Sequence, residues 1–118
     1  DRFKQMVINL VDNAIKYTNN EGQVKVGTAF ENNNCLIRVE DNGVGISKKH
    51  QERLFERFYR VDKARSRSQG GTGLGLAIVK HIVLKFSGTI ELDSEIGKGS
   101  KFIVKIPIDL NNKQRPYN

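Results

Sequence analysis

The sequence predicts a two-layer α/β sandwich, in which one sheet carries its helices on a single face. Three observations point there: an amphipathic helical pattern opening the chain, two pairs of alternating segments that read as hairpins, and an apolar helical stretch before the second pair. The 118 residues fit one domain. A hydrophobic share of 37% beside 28% charged residues supports a core and excludes a disordered chain. No apolar run approaches the ~20 residues that span a bilayer, and no basic-then-apolar leader opens the chain. A soluble piece of something longer is therefore expected, with any anchor lying elsewhere. A single Cys35 excludes an internal disulfide and a multi-cysteine metal site.

Each element has its own signal. Residues 1–18 place Phe3, Met6, Val7, Leu10 and Ala14 at the intervals of a buried helical stripe. The polar cluster at 19–22 stops it. Residues 23–30 alternate, with Val24, Val26 and Phe30 on one side, and 36–40 alternate again after a polar turn at 31–34, which predicts an antiparallel hairpin. Ser47 is placed to cap a second helix over 47–58. Residues 61–72 have no sustained period and read as a mobile loop. A largely buried helix follows over 74–86, apolar at Leu74, Ala77, Ile78, Ile82 and Phe86. Strands at 89–93 and 101–108 form the second hairpin around Gly97 and Gly99, with Phe102, Val104, Ile106 and Ile108 facing one way. The expected domain is 1–108, and 109–118 is a patternless tail.

Charge and glycine are both clustered. The net charge is +7, and the twenty residues from 48 to 67 hold eight Lys or Arg against three acidic residues. Such a field attracts a polyanion, whether nucleic acid, membrane surface or nucleotide phosphate; a solvated basic helix face gives the same pattern. Six of the eleven glycines fall in two groups flanking this segment, Gly43 with Gly45 and Gly70, Gly71, Gly73 with Gly75.

Three constellations can carry chemistry. On an ideal helix Asn9 and Asn13 lie ~40° apart and Lys16 within ~20° of Asn9, so two amides and a cation share a stripe. Amide oxygens suit Mg²⁺ and lysine suits phosphate, although a plain polar face reads the same way. Asp41 ends a predicted strand and precedes Gly43 and Gly45; a carboxylate there can accept from an exocyclic amine while the glycines admit a planar ring, and an Asp-Asn-Gly turn is the alternative. Gly71, Gly73 and Gly75 open a helix whose free N–H groups form an anion site. The spacing is neither a Walker loop nor a dinucleotide fingerprint. Together these parts suit Mg·ATP.

The chain resembles the ATP-binding catalytic domain of bacterial sensor histidine kinases, from the superfamily shared with type II topoisomerase, Hsp90 and mismatch-repair ATPases. Five boxes carry the resemblance in order: an N box with Asn9, Asn13, Lys16 and Tyr17; a glycine box with Asp41, Gly43, Gly45 and Ile46; an F box with Phe55, Arg57, Phe58 and Arg60; a second glycine box with Gly71, Thr72, Gly73, Leu74, Gly75 and Leu76; and a last one with Gly97, Gly99 and Ser100. The implied fold is the Bergerat-type sandwich on a mixed, mostly antiparallel sheet.

The resemblance implies that Asn13, helped by Asn9, holds Mg²⁺ on ATP and that Lys16 touches phosphate. Tyr17 packs near the adenine, and Asp41 reads its amino group. Gly43, Gly45 and Ile46 line the base pocket. Phe55 and Phe58 seat the lid, and Arg57 and Arg60 couple its closure to phosphate. The segment from Gly71 through Thr72, Gly73, Leu74 and Gly75 to Leu76 cradles the phosphates, and Ser100 supports Asp41 through its hydroxyl. Asn9 stands where hydrolysing relatives have a Glu that activates water, so transfer is expected rather than hydrolysis. The acceptor is a histidine on a separate dimerisation domain that also meets the response regulator; neither His50 nor His81 has its context. A monomeric isolated domain, the cytoplasmic part of a membrane-anchored sensor, is expected, with no nucleic-acid partner, since no aromatic-basic stacking pattern is present. The alternatives are an ATP-hydrolysing relative and a non-catalytic nucleotide-binding module. Three departures stand out: no strand precedes the first helix, Ser100 replaces the more usual Thr, and Phe86-Ser87-Gly88 stands where the family has His-Gly-Gly. The last predicts a cost of up to about 1 kcal/mol if Ser87 is left-handed.

Overall fold

The computed structural model describes residues 1–19, 21–59 and 74–108; the expected loop at 61–72 and tail at 109–118 lie outside these. Helix α1 (Arg2–Lys16) starts at Asp1, whose carboxylate accepts from the N–H groups of Phe3 at 2.9 Å and Lys4 at 3.3 Å. This cap satisfies donors that the first turn leaves without partners. The apolar stripe buries Met6, Leu10 and Ala14, with Phe3 and Val7 packed beside them.

Strands β1 (Val24–Glu31) and β2 (Asn34–Asp41) form the first hairpin. Its turn is Asn32-Asn33, both left-handed with φ of 50° and 64°, the two-residue geometry that matches strand twist and that asparagine tolerates. Val24, Val26 and Phe30 stand opposite Asp41, Val39 and Cys35, so they share a side as expected. Val26 and Phe30 nevertheless stay 50% and 77% exposed, because β1 is the edge strand and the core gathers over β2 and β4.

The second helix is much shorter than expected: α2 is Lys48–Gln51. Ser47 holds the cap position, but its side chain makes no capping bond. Beyond α2 the chain proceeds by single turns, with Arg53 N–H on the His50 carbonyl, Glu56 on Arg53 and Tyr59 on Glu56. Tertiary contact overrides helical propensity here: Leu54 is buried in the core and Phe55 meets Phe102 edge-on at 6.2 Å.

Helix α3 (Gly75–Lys85) lies within one residue of its expected bounds. Its fully buried face is Leu76, Val79, Ile82 and Val83, with Ile78 and Phe86 packed at the margin. The helix ends in a Schellman motif, Gly88 N–H reaching the Val83 carbonyl at 2.9 Å and Ser87 N–H that of Leu84 at 3.0 Å. Ser87 occupies the left-handed position with φ of 59°. Ser87→Gly is therefore expected to stabilise the chain by about 0.5–1 kcal/mol, read as a few degrees in Tm; an unchanged or lowered Tm contradicts this.

Strands β3 (Thr89–Glu95) and β4 (Gly99–Pro107) complete a four-stranded sheet ordered β1-β2-β4-β3. Every pairing among the described residues is antiparallel. Phe102, Val104 and Ile106 form the floor of the core, whereas Ile108 is only partly covered. Cys35 is a buried free thiol whose pKa burial pushes up, which fits an inert strand residue.

Candidate nucleotide site

Helix α1 acts as a spine to which the motif segments attach. At its middle, the Asn9 side-chain amide donates to the Gly75 carbonyl at 3.5 Å, tying the helix to the start of α3. That orientation leaves the Asn9 amide oxygen as an acceptor. Asn13 and Lys16 follow on the same flank, both half-buried. At its end, the Tyr17 carbonyl accepts from Val44 N–H at 3.2 Å.

The glycines of the 41–46 loop owe their presence to close backbone contact. A Cβ on Gly43 would stand 1.9 Å from the Tyr17 carbonyl oxygen, and one on Gly45 would stand 2.1 Å from that of Glu95. Gly45 is also left-handed, with φ of 76°. Gly99, at φ of 111°, leaves no room for a Cβ against the Asp41 carbonyl oxygen, 2.0 Å away. The β3–β4 turn thus lies directly on the 41–46 loop, and Gly97 N–H donates to the Val44 carbonyl at 2.9 Å.

Asp41 is the one buried carboxylate among the described residues, 7% exposed. Burial pushes its carboxyl above the ordinary value of 3.8; the backbone N–H groups of Gly43 and Ser100 pull it back, and the charge of Glu40 adds to the rise. Gly43 N–H bonds one carboxylate oxygen at 2.9 Å. The Ser100 hydroxyl, expected on Asp41, instead pairs with the Ser94 hydroxyl at 2.7 Å, so the support Ser100 gives Asp41 comes from its backbone.

Ser94 and Gln51 are contributors that the motif reading missed. Ser94 Oγ accepts from Ile46 N–H at 2.8 Å, and Gln51 Nε2 donates to the Ile46 carbonyl at 2.7 Å and the Ser94 carbonyl at 3.3 Å. Both hold Ile46, which is buried in the core. The signal for Ser94 was a hydroxyl in the inward register of Ile90 and Leu92; Gln51 had none.

The F-box residues divide. Phe55 lies between Phe102 and the Lys80 ammonium, 5.8 Å from its ring. Phe58 is 62% exposed at φ of 67°, with the Arg57 guanidinium 5.4 Å over its ring. Arg60, Gly71, Thr72 and Gly73 lie outside the described residues. Leu74 is half-buried at the N-cap of α3, and Leu76 is buried. Among the described residues, no three His, Cys, Asp or Glu side chains gather to hold a metal. No helix among them is long and apolar enough to cross a membrane.

Residues 1–110 match the family described as "Histidine kinase-, DNA gyrase B-, and HSP90-like ATPase". The chain is 54% identical over 101 residues to the sensor-like histidine kinase SenX3 of Mycolicibacterium smegmatis, covering 86% of this chain and 26% of that protein. It is 46% identical over 101 residues to the signal transduction histidine-protein kinase ArlS of Staphylococcus aureus, covering 86% and 22%. The chain thus spans about a quarter of the length of these curated relatives. The solved mycobacterial sensor histidine kinase MprB superposes with a TM-score of 0.78 at 33% identity, over 90% of this chain and 72% of that one. Full-length ShkA in complex with AMPPNP gives 0.80 at 28% identity, over 98% and 23%.

Proposed function

Because the chain belongs to the sensor histidine kinases of this ATPase family, we propose that it binds Mg·ATP and donates the γ-phosphoryl group to a histidine on a separate dimerisation domain. The observation that carries this reading is Asp41, a buried carboxylate held by the Gly43 N–H beside the end of the helix that bears Asn9, Asn13 and Lys16. Asp41 accepts from the adenine amino group, with Gly43, Gly45 and Ile46 as the wall and Tyr17 against the base. Asn13 and Asn9 offer amide oxygens to Mg²⁺, which neutralises triphosphate charge. Lys16, Arg57 and Arg60 meet phosphate, and the segment from Gly71 to Leu76 cradles it. Ser100 steadies Asp41.

Asn9 sets the outcome of the chemistry. A neutral amide takes no proton from water near pH 7, so bound ATP waits for an acceptor. That acceptor histidine, and the response regulator it serves, belong to the rest of a membrane-anchored sensor whose cytoplasmic side holds this domain; the domain itself is monomeric and takes no nucleic acid.

The test is transfer in trans. Incubated with γ-labelled ATP, Mg²⁺ and a histidine-bearing dimerisation domain, the chain should yield acid-labile, base-stable label on that domain and none on itself. Label on the chain, or on neither, counts against the proposal. Asn13→Ala should lose about tenfold in the gain that Mg²⁺ gives to ATP affinity while keeping the metal-free affinity; an unaltered Mg²⁺ dependence removes Asn13 from the metal.

A further inference from the structure

Ser94 borders the same cleft as Asp41 and Ser100, and its hydroxyl meets three groups. It accepts from Ile46 N–H at 2.8 Å, donates to the Gly99 carbonyl at 3.0 Å and touches Ser100 Oγ at 2.7 Å. A serine hydroxyl has one proton and two lone pairs. Ile46 N–H can only donate and the Gly99 carbonyl can only accept. The one arrangement that satisfies all of them sends the Ser94 proton to Gly99 and the Ser100 proton to Ser94 Oγ. Ser100 is then barred from donating into the pocket. The Gly43 N–H bonds the Asp41 carboxylate at 2.9 Å, and the Ser100 backbone helps to lower the pKa of that carboxyl.

We infer that Ser94 is a specificity-determining positioning residue: by fixing the Ser100 hydroxyl as an acceptor, it makes the polar end of the base pocket, Ser100 Oγ beside the Asp41 carboxylate, accept hydrogen bonds only. This rests on the reading that Asp41 faces the base. An acceptor-only wall suits a 6-amino purine and opposes a 6-oxo purine, whose oxygen would face lone pairs with no compensating donor. If Ser94 loses its acceptor atom, the Ser100 hydroxyl can rotate and offer its proton to a 6-oxo group. Ser94 thus acts on selectivity through Ser100.

The probe pair is ATP and ITP, which differ at the 6-position and the neighbouring ring nitrogen. Titration calorimetry of the whole chain should show Ser94→Ala lowering the ITP-to-ATP ratio of Kd values about tenfold, mainly by improved ITP binding. Ser94→Thr, which keeps the hydroxyl, should restore the parent ratio. Ser94→Cys, close in shape and a poor acceptor, should relax it as well and serves if the alanine variant does not fold. In a Ser100→Ala background, Ser94→Ala should leave the ratio unchanged, because the residue through which it acts is gone. An unchanged ratio in both the Ala and Cys variants, or the same shift with Ser100 absent, overturns the inference and leaves Ser94 as a loop support only. A parent chain that binds neither nucleotide is a different failure: it removes the adenine-pocket reading itself, whatever stands at position 94.

Discussion

Asp41→Asn is expected to weaken ATP binding about a hundredfold or more while leaving the fold at least as stable as the parent near neutral pH. The binding loss follows from chemistry: the amide keeps one acceptor, but it loses the charge and adds an N–H group that can face the adenine amine. The stability gain follows from burial. Asp41 is 7% exposed, and desolvation raises its carboxyl above the ordinary value of 3.8 despite the N–H groups of Gly43 and Ser100. A carboxyl whose pKa is higher folded than unfolded holds its proton longer in the folded state. Both states are protonated below the unfolded value, so the penalty is absent there; it grows as pH rises toward the folded value and then stays. Thermal melts should therefore show the variant matching the parent below about pH 4 and equal to or above it near pH 7. Parental ATP affinity in the variant contradicts the pocket; a variant that loses stability relative to the parent as pH rises contradicts the electrostatics.

Gly45→Ala is expected to cost about 3 kcal/mol or more in urea unfolding, and Gly97→Ala about 1 kcal/mol. Both glycines are left-handed, at φ of 76° and 84°, so each variant carries the same conformational penalty. They differ in surroundings. A Cβ on Gly97 enters open space, whereas one on Gly45 lands 2.1 Å from the Glu95 carbonyl oxygen and 2.6 Å from its carbon. Relief requires the 41–46 loop to part from the end of β3, which breaks the Ile46 N–H bond to Ser94 Oγ. Nucleotide affinity should fall with stability in the Gly45 variant and persist in the Gly97 one. Equal costs would mean that the two segments are not pressed together.

The two helices α1 and α3 and both hairpins were legible because period alone specifies them: Met6, Leu10 and Ala14 recur at helical spacing, and Phe102, Val104 and Ile106 at strand spacing. The left-handed Ser87 entered only as a condition, because a helix stop at Ser87-Gly88 lets either residue take that position, and the backbone gives it to Ser87. Helix α2 was not. Residues 52–58 have helical composition, and only the pull of Leu54 and Phe55 into the core breaks the pattern. The open apolar side of β1 escaped notice for a related reason: alternation shows that Val26 and Phe30 share a side, but not that the strand lies at the edge of the sheet. Within the site, the motif residues were legible by type and order. The partners that hold them were not. Gln51 and Ser94 reach Ile46 from 5 and 48 positions away in the chain, and such bonds leave no periodic trace.

Phosphorus NMR of the chain with excess Mg·ATP, followed over hours, tests the central claim most directly. A phosphoryl donor with an amide at position 9 should perturb the ATP resonances and release almost no ADP. Perturbed resonances that give way steadily to ADP and phosphate would contradict the account, because they would show water activated at a site said to lack the base for it.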